Sequence, residues 1–475
     1  MRSQMIVTGT ASHALTIMAT VGLLLAHATG LSADKLKIDV RLAQPYLLAG
    51  EKQTTYVKVG LTGVPIQGTG NRAPVNLAIV LDRSGSMAGD KLRKAKDAAL
   101  ASIDRLGPND IVSVVAYDDT VEVLVPATKL TERSAVRAAI ERLTPGGQTA
   151  LFAGVSKGAA EVRKFADRQR INRVLLLSDG QANVGPSSPA ELGHIGASLI
   201  KEGISVTTFG LGLGYNEDLM VQLARRSDGN HFFIEHSADL ARHFGHEFDD
   251  VLSVSAKEVA VQITCADGIR PVRVLGREAD ITGQVVKTYL NQVYGDQEKY
   301  VLLEVEVPAR RAGSELAVGS VDVSYVDLGT RVAVRNTLRL TARVTASAAV
   351  VNTNTSPVVM ASAIEQIAVE RNIAAVKLRD AGRIEEARRA LLENVTFLSE
   401  NARRYNSPAL ADYGEKNRQD AALLAPGVWE RQRKVVLDEQ NIRQSQMRHR
   451  DDDLIELPRT RSQDDLIEQV RPGAK

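Results

Sequence analysis

The chain of 475 residues contains a single cysteine, Cys265. One thiol excludes an intramolecular disulfide framework and a cysteine-based zinc site. No sign of charge is in excess either, because 59 basic residues against 57 acidic ones leave a formal net charge of +2. Without a field of one sign, we expect no nucleic-acid partner. The residues around the cysteine, VQITCADG, have the pattern of a strand, which predicts a buried thiol that packs as a small apolar group.

Long apolar runs are scarce as well. The N-terminal stretch ALTIMATVGLLLA (14–26) follows Arg2 and precedes the small residues of AHATGLSADK. Its length is typical of a signal peptide, which we place at residues 1–33, and an uncleaved membrane anchor is the alternative. Since no later stretch approaches ~20 apolar residues, we expect no membrane span after signal cleavage. The predicted location is therefore periplasmic or extracellular.

Two regions alternate between apolar and polar residues. The first is an N-terminal β segment at 34–73, with KLKIDVRLA and TTYVKVGLTG. The second spans 255–348 and includes EVAVQITC, KYVLLEVEVPA and LAVGSVDVSYVDL. Alternation of this kind predicts antiparallel strands. Because the first strands are too few to bury a face alone, we predict that they complete one β-sandwich with the second region; two separate β units are the alternative.

The region between them, 74–254, has a different texture. Apolar runs such as NLAIVL, DIVSVVAY and RVLLLS are separated by amphipathic helical patterns such as GDKLRKAKDAALASIDRL. Buried strands that alternate with helices predict a doubly wound, mostly parallel α/β sheet with helices on both faces. The predicted fold is thus an α/β domain inserted into an antiparallel β-sandwich.

The C-terminal part of the chain is predicted to be helical and then polar. Apolar residues recur at helical spacing over 357–425, and Gly382 interrupts them, which predicts a helical hairpin, with a tetratricopeptide-like unit as the alternative. Residues 426–475 are charged and predict a flexible tail. This tail carries DDLIE twice, at 452–456 and 464–468. The repeat is either a solvated segment or a docking peptide.

One short segment carries candidate metal chemistry. LDRSGSMAGDK (81–91) follows the apolar run NLAIV, so Asp82 ends a buried strand. Ligands of open parallel sheets bind at the carboxyl ends of strands. On a turn, Asp82, Ser84 and Ser86 can direct three oxygens at one point. Oxygen ligands of low total charge favour a hard divalent cation, Mg²⁺ before Zn²⁺.

Two further segments place oxygen donors after later elements. Thr149 follows a Gly-Gly pair in TPGGQTALFAG, and Asp179 ends the strongly apolar strand of LLLSDGQAN. Three loops at one edge of the sheet would thus supply five oxygen donors. The glycine-rich GLGLG (210–214) lacks a P-loop lysine and is interpreted as backbone room beside this site.

These residues resemble the von Willebrand factor type A domain and its metal-ion-dependent adhesion site, over roughly 74–254. The resemblance implies that the hydroxyls of Ser84 and Ser86 bind the metal directly and that Thr149 joins them when a ligand is engaged. It implies that Asp82 and Asp179 act mainly through bound waters. The expected ion is Mg²⁺, with Mn²⁺ or Ca²⁺ possible, and the expected partner is a protein that supplies Asp or Glu to the metal. The layout is also similar to exported bacterial proteins of this class and to inter-alpha-trypsin inhibitor heavy chains.

Two other functions compete with adhesive binding. The metal could merely stabilise the fold, or the site could be an Mg²⁺-assisted hydrolase. An enzyme would need a base, and His243 and His246 lie three residues apart in ARHFGHEF. Since no carboxylate or cysteine stands at metal-site spacing from them, we interpret them as packing or surface residues and predict that the protein is not an enzyme.

Overall fold

The computed structural model describes residues 35–66 and 72–449. The predicted signal peptide and both copies of DDLIE lie outside these residues. In chain order the strands are β1 Leu36–Leu42, β2 Tyr46–Leu48, β3 Gln53–Gly63, β4 Val75–Asp82, β5 Ile111–Tyr117, β6 Val121–Lys129, β7 Ile171–Ser178, β8 Ile204–Leu211, β9 His231–Ile234, β10 Val254–Cys265, β11 Arg270–Leu275, β12 Asp280–Thr282, β13 Val285–Tyr294, β14 Gln297–Val307, β15 Glu315–Asp327, β16 Val332–Thr345 and β17 Met447–His449. The helices are α1 Asp90–Asp104, α2 Arg133–Glu141, α3 Leu151–Arg163, α4 Pro189–Leu199, α5 Glu217–Arg226, α6 Leu240–Ser253, α7 Ala348–Asn354, α8 Pro357–Asp380, α9 Ile384–Tyr405, α10 Pro408–Ala422 and α11 Pro426–Gln444.

The β-sandwich consists of two sheets that draw on both ends of the chain. One sheet has the order β1-β3-β14-β11, with β17 paired to β14, and the other has the order β12-β13-β10-β15-β16-β2. In the first sheet Val59 of β3 stands opposite Val40 of β1 and Val301 of β14. The N-terminal strands therefore complete the sheet of the later region, as predicted, and the alternative of two separate β units is wrong.

The inward faces of the two sheets form one apolar core. Val57, Val59 and Leu61 of β3 pack in the same cluster as Val261 and Ile263 of β10. Cys265 belongs to this cluster and is buried, which confirms its predicted packing role. The period-2 pattern of each strand thus sets which side chains meet between the sheets.

The central region forms the predicted doubly wound sheet. Its order is β6-β5-β4-β7-β8-β9, and every neighbouring pair is parallel except the β5–β6 pair. All eight residues of β4 are buried, because helices cover both faces of the sheet. The chain passes from β4 to β5 on one side and later to β7 on the other, so strand order reverses at β4. The carboxyl ends of these strands are where such a fold binds ligands.

A buried polar contact joins the sheet to the sandwich. The Arg173 guanidinium on β7 donates to Tyr294 Oη at 2.5 Å and to Gln292 Oε1 at 3.2 Å. Its Nε lies 3.3 Å from Glu247 Oε1 on α6. Lys299 on β14 pairs with Asp228, which follows α5, at 3.1 Å. The end of the α/β unit opposite the candidate site is therefore the end that contacts the sandwich.

Two C-terminal predictions need correction. Two helices, α10 and α11, follow the hairpin of α8 and α9, so the helical region extends beyond 425. The tail predicted to begin at 426 begins instead with α11, which has a proline in its first turn. The high charge of α11 predicted a solvated tail, but several of its charged residues pair with acids of the α/β unit rather than facing solvent. Within 35–66 and 72–449, no helix has the length and apolarity needed to cross a membrane.

Candidate metal centre

The turn after β4 is organised by the carboxylate of Asp82. Its Oδ1 accepts the Ser84 backbone N–H at 2.8 Å, and its Oδ2 accepts the Ser178 hydroxyl at 2.6 Å. Asp82 is fully buried. Burial raises the pKa of Asp82, and the hydrogen bonds from Ser178 and Ser84 oppose this shift. The carboxylate therefore fixes the conformation of the turn. The hydroxyl oxygens of Ser84 and Ser86 lie 3.1 Å apart.

The turn after β7 meets this first turn. Asp179 Oδ1 accepts the Ser86 hydroxyl at 2.6 Å, and Asp179 Oδ2 is paired with the Lys91 ammonium at the start of α1. The Asp179 side chain is fully buried, whereas that of Lys91 is 38% exposed. The two strand ends thus place two buried carboxylates and two hydroxyls around one point. The ammonium group of Lys91 lies at the border of this group.

The loop that carries Thr149 is held against both turns. Gly146 N donates to Arg83 O at 2.8 Å, and Gly85 N donates to Gly147 O at 3.1 Å. Gly147 has a φ of +64°, which permits this conformation at no steric cost. Thr149 N donates to Asn183 Oδ1 at 2.8 Å, which ties the loop to the turn after β7. The Gly-Gly pair thus allows the loop to enter between the strand ends.

Gly180 shows how close the Thr149 hydroxyl lies to the others. A Cβ at Gly180 would be 2.9 Å from Thr149 Oγ1 and 3.4 Å from Ser86 Oγ. Both hydroxyls therefore border the same small volume. The structure brings together all five predicted residues, which we call the oxygen cluster: Asp82, Ser84, Ser86, Thr149 and Asp179.

The chemistry of the oxygen cluster fits a hard divalent cation. Its donors are hydroxyl and carboxylate oxygens, the ligands that Mg²⁺ prefers. Among the described residues no three His, Cys, Asp or Glu side chains converge as a metal site. A cation in the oxygen cluster would have three hydroxyls and two carboxylates around it.

Several residues at the site escaped sequence reasoning. Ser178 and Asn183 orient Asp82 and Thr149, and Lys91 pairs with Asp179. All three lie within the segments singled out from the sequence, but a linear pattern does not say which of their side chains points inward. The GLGLG segment does lie beside the site, since a Cβ at Gly214 would be 2.9 Å from Asp179 O.

The side chain of the candidate base His243 packs against an aromatic ring. Its ring lies 5.5 Å from that of Phe232, centroid to centroid. Burial lowers the pKa of His243 to about 4, with a contribution from Arg242. These contacts place it on α6 against β9 and not among the hydroxyls of the oxygen cluster.

Comparison with known proteins identifies the central region. Residues 76–246 match the family model of the von Willebrand factor type A domain. An uncharacterized protein of Synechocystis sp. is 30% identical over 267 residues, which are 54% of this chain and 62% of that protein. Human inter-alpha-trypsin inhibitor heavy chain H3 is 29% identical over 165 residues, 33% of this chain and 18% of that protein. The chain thus spans less than two thirds of these relatives.

A solved structure shares the fold over a larger part of the chain. The von Willebrand factor type A protein from Catenulispora acidiphila superposes with a TM-score of 0.65 at 19% identity. The match covers 83% of this chain and 91% of that one. At this identity the likeness concerns the fold alone, and it extends beyond the α/β sheet to the flanking regions.

Proposed function

We propose that this protein, a von Willebrand factor type A domain protein, binds an acidic side chain of a partner protein through a divalent cation at the oxygen cluster. The observation that carries the proposal is the convergence of three hydroxyls and two buried carboxylates from three loops. Such domains are in general adhesion and protein-binding modules. The expected activity is therefore binding and not turnover.

Each residue has a distinct part in this proposal. The hydroxyls of Ser84, Ser86 and Thr149 would bind the ion, and the carboxylates of Asp82 and Asp179 would orient those hydroxyls, mainly through bound waters. When bound, Mg²⁺, or Mn²⁺ or Ca²⁺ in its place, supplies a coordination position for a carboxylate oxygen from the partner. Hydroxyl ligands leave much of the ion's charge unneutralised, which favours an anionic partner group.

The location proposed for this binding is outside the cytoplasm. The proposal rests on the N-terminal signal-peptide pattern at 1–33, which the sequence alone provides. A periplasmic or extracellular partner that presents Asp or Glu on an exposed loop would have access to the oxygen cluster.

The test compares Ser86→Ala with Ser314→Ala, which removes an exposed hydroxyl in a loop of the sandwich. Calorimetric titration with Mg²⁺ should show binding to the wild type and to Ser314→Ala, and at least ~10-fold weaker binding to Ser86→Ala, a loss of about 1.4 kcal/mol. Immobilised wild type should retain a protein from the exported fraction in Mg²⁺ and release it in EDTA. Absence of Mg²⁺ binding would contradict the proposal.

The competing functions give different results in the same experiment. A metal that only stabilises the fold would raise the melting temperature without any retained protein. Turnover of an ester or phosphate substrate that depends on Mg²⁺ and on Ser86 would favour the hydrolase.

A further inference from the structure

The oxygen cluster is bordered by one exposed aliphatic side chain. Leu213 is 37% exposed in the loop that follows β8. A Cβ at the preceding residue, Gly212, would be 3.8 Å from Lys91 Nζ, and one at the following residue, Gly214, would be 2.9 Å from Asp179 O. Leu213 therefore lies at the rim of the oxygen cluster, between two glycines that border Lys91 and Asp179.

This rim defines a class of ligand. A carboxylate in the cluster would meet the positive charge of Lys91, and an apolar residue next to that carboxylate would cover Leu213. Burial of a leucine or isoleucine against such a side chain contributes at ~25 cal/mol per Å² of apolar area removed from water. The rim thus fits an acidic residue with a branched aliphatic residue next to it.

The C-terminal end of the chain has such a pair in two copies of one pentapeptide. Asp-Asp-Leu-Ile-Glu occurs at 452–456 and again at 464–468, both beyond the described residues. We propose that the copy at 464–468 binds the oxygen cluster of its own chain, as an internal ligand that an external partner must displace. The inference rests on the proposed function, because the carboxylate needs the cation.

Chain length separates the two copies. The described chain ends at His449, and Met447 pairs with Lys299, whose ammonium contacts Asp228. Asp228 lies beyond the C-terminal end of α5, and Leu213 lies before its N-terminal end. Ten helical residues at 1.5 Å each span about 15 Å, so with the flanking loops and side chains the path is on the order of 30 Å.

Asp464 lies fifteen positions beyond His449, a length of chain that can extend over about 50 Å, whereas Asp452 lies three positions beyond it, which extend over about 10 Å. Only the second copy can therefore reach the cluster of the same chain. A tether of this length gives an effective concentration on the order of millimolar, which would mask the cluster from a weak external ligand.

The test uses the full chain and a fluorescent peptide of residues 462–470, SQDDLIEQV. In Mg²⁺, fluorescence anisotropy should show the peptide binding at least ~10-fold more tightly to the Asp464→Asn, Asp465→Asn variant than to the wild type, a gain of about 1.4 kcal/mol. The matched Asp452→Asn, Asp453→Asn variant should bind it as the wild type does. Leu213→Ser added to the first variant should weaken the peptide severalfold and leave Mg²⁺ binding unchanged in calorimetry.

The outcomes separate this inference from the proposed function. Equal peptide affinity for the wild type and both tail variants would overturn the internal-ligand inference and leave the proposed function standing. Absence of peptide binding by chains that bind Mg²⁺ would have the same consequence. Unmasking by the 452/453 variant, or Mg²⁺-dependent dimers in sedimentation, would assign the ligand to a second copy and overturn binding within one chain. Loss of Mg²⁺ binding in the wild type would overturn both proposals.

Discussion

At the scale of single residues, the oxygen cluster depends on what is small as much as on what is polar. Gly180 lies between the hydroxyls of Thr149 and Ser86, and a side chain there would enter the volume they share. Asp179 has two counter-groups, the Ser86 hydroxyl on one oxygen and the Lys91 ammonium on the other. A cation in the cluster would therefore lie beside a glycine and a lysine whose side chains supply no ligand oxygen.

Gly180→Ala should weaken Mg²⁺ binding at least ~10-fold, about 1.4 kcal/mol, although it removes no donor. The reason is that its Cβ would lie 2.9 Å from Thr149 Oγ1, closer than an ordinary contact. Calorimetric titration with Mg²⁺ measures the effect. Gly427→Ala, at a position with open space around it, is the control and should bind Mg²⁺ normally; unchanged affinity in Gly180→Ala would contradict the assignment of Thr149 to the site.

At the scale of elements, α11 connects the C-terminal helices to the α/β sheet. Arg433 pairs with Glu217 and Asp218 at the start of α5 and with Asp380 at the end of α8. Lys434 donates to Tyr215 O at 2.7 Å. Although burial would raise the pKa of Glu217, Lys434 and Arg433 lower it. These contacts fix the loop after β8, where a Cβ at Gly214 would lie 2.9 Å from Asp179 O, so α11 supports one wall of the site.

Arg433→Ala should destabilise the loop after β8 that forms this wall of the site. Removal of one partner from a half-buried ion network costs about 1–3 kcal/mol, and we expect faster amide hydrogen exchange over 212–218. Hydrogen exchange with mass spectrometry measures it. Arg418→Ala, which removes an exposed pair with Glu415 within α10, should leave this loop unchanged, and equal exchange in both variants would show that α11 does not support the site.

The packing of α11 on β9 should depend on pH through Asp438. Its carboxylate accepts the Phe233 backbone N–H at 3.1 Å, and burial raises its pKa to about 7. In the unfolded chain it ionises near 4, so between these values only the unfolded state loses the proton and stability falls as pH rises. Asp438→Asn removes the charge but keeps an acceptor.

The thermal unfolding midpoint of Asp438→Asn should therefore exceed that of the wild type at pH 8 and equal it near pH 4. Differential scanning calorimetry at the two pH values measures the difference. Asp280→Asn, on the exposed strand β12, provides the same loss of charge without burial and should show no such divergence. A parallel pH response in all three chains would refute the assignment.

At the scale of the whole molecule, the α/β sheet is inserted between the N-terminal strands and the later strands of one sandwich. The N-terminal strands complete one of its two sheets. β3 pairs on both sides, with β1 and with β14, and its inward residues lie in the shared core. The stability of the later strands therefore depends on residues that precede the insertion.

Val59→Asp should unfold the sandwich, because it places an unpaired carboxylate in a core position that is 0% exposed. The expected loss is at least about 3 kcal/mol, with protease cleavage appearing within 255–345. Val332→Asp, at a position that is 57% exposed, is the same substitution and should change stability by less than about 0.5 kcal/mol. Protection of 255–345 in Val59→Asp equal to that in the control would show that the two β regions fold independently.

The sequence by itself determined the strand and helix types of the α/β unit and the sandwich, and the residues of the oxygen cluster, because periodicity and a short turn motif are local properties. NLAIVL, a short apolar run between helical patterns, indicated a buried strand, and DRSGS placed its carboxylate and hydroxyls within five residues. Only the tertiary structure decided that Lys91 pairs with Asp179, that Asn183 holds Thr149, and that α11 packs on α5 rather than facing solvent. These contacts join residues that are 34 to 219 positions apart, and long-range ion pairs and hydrogen bonds leave no periodic pattern along the chain.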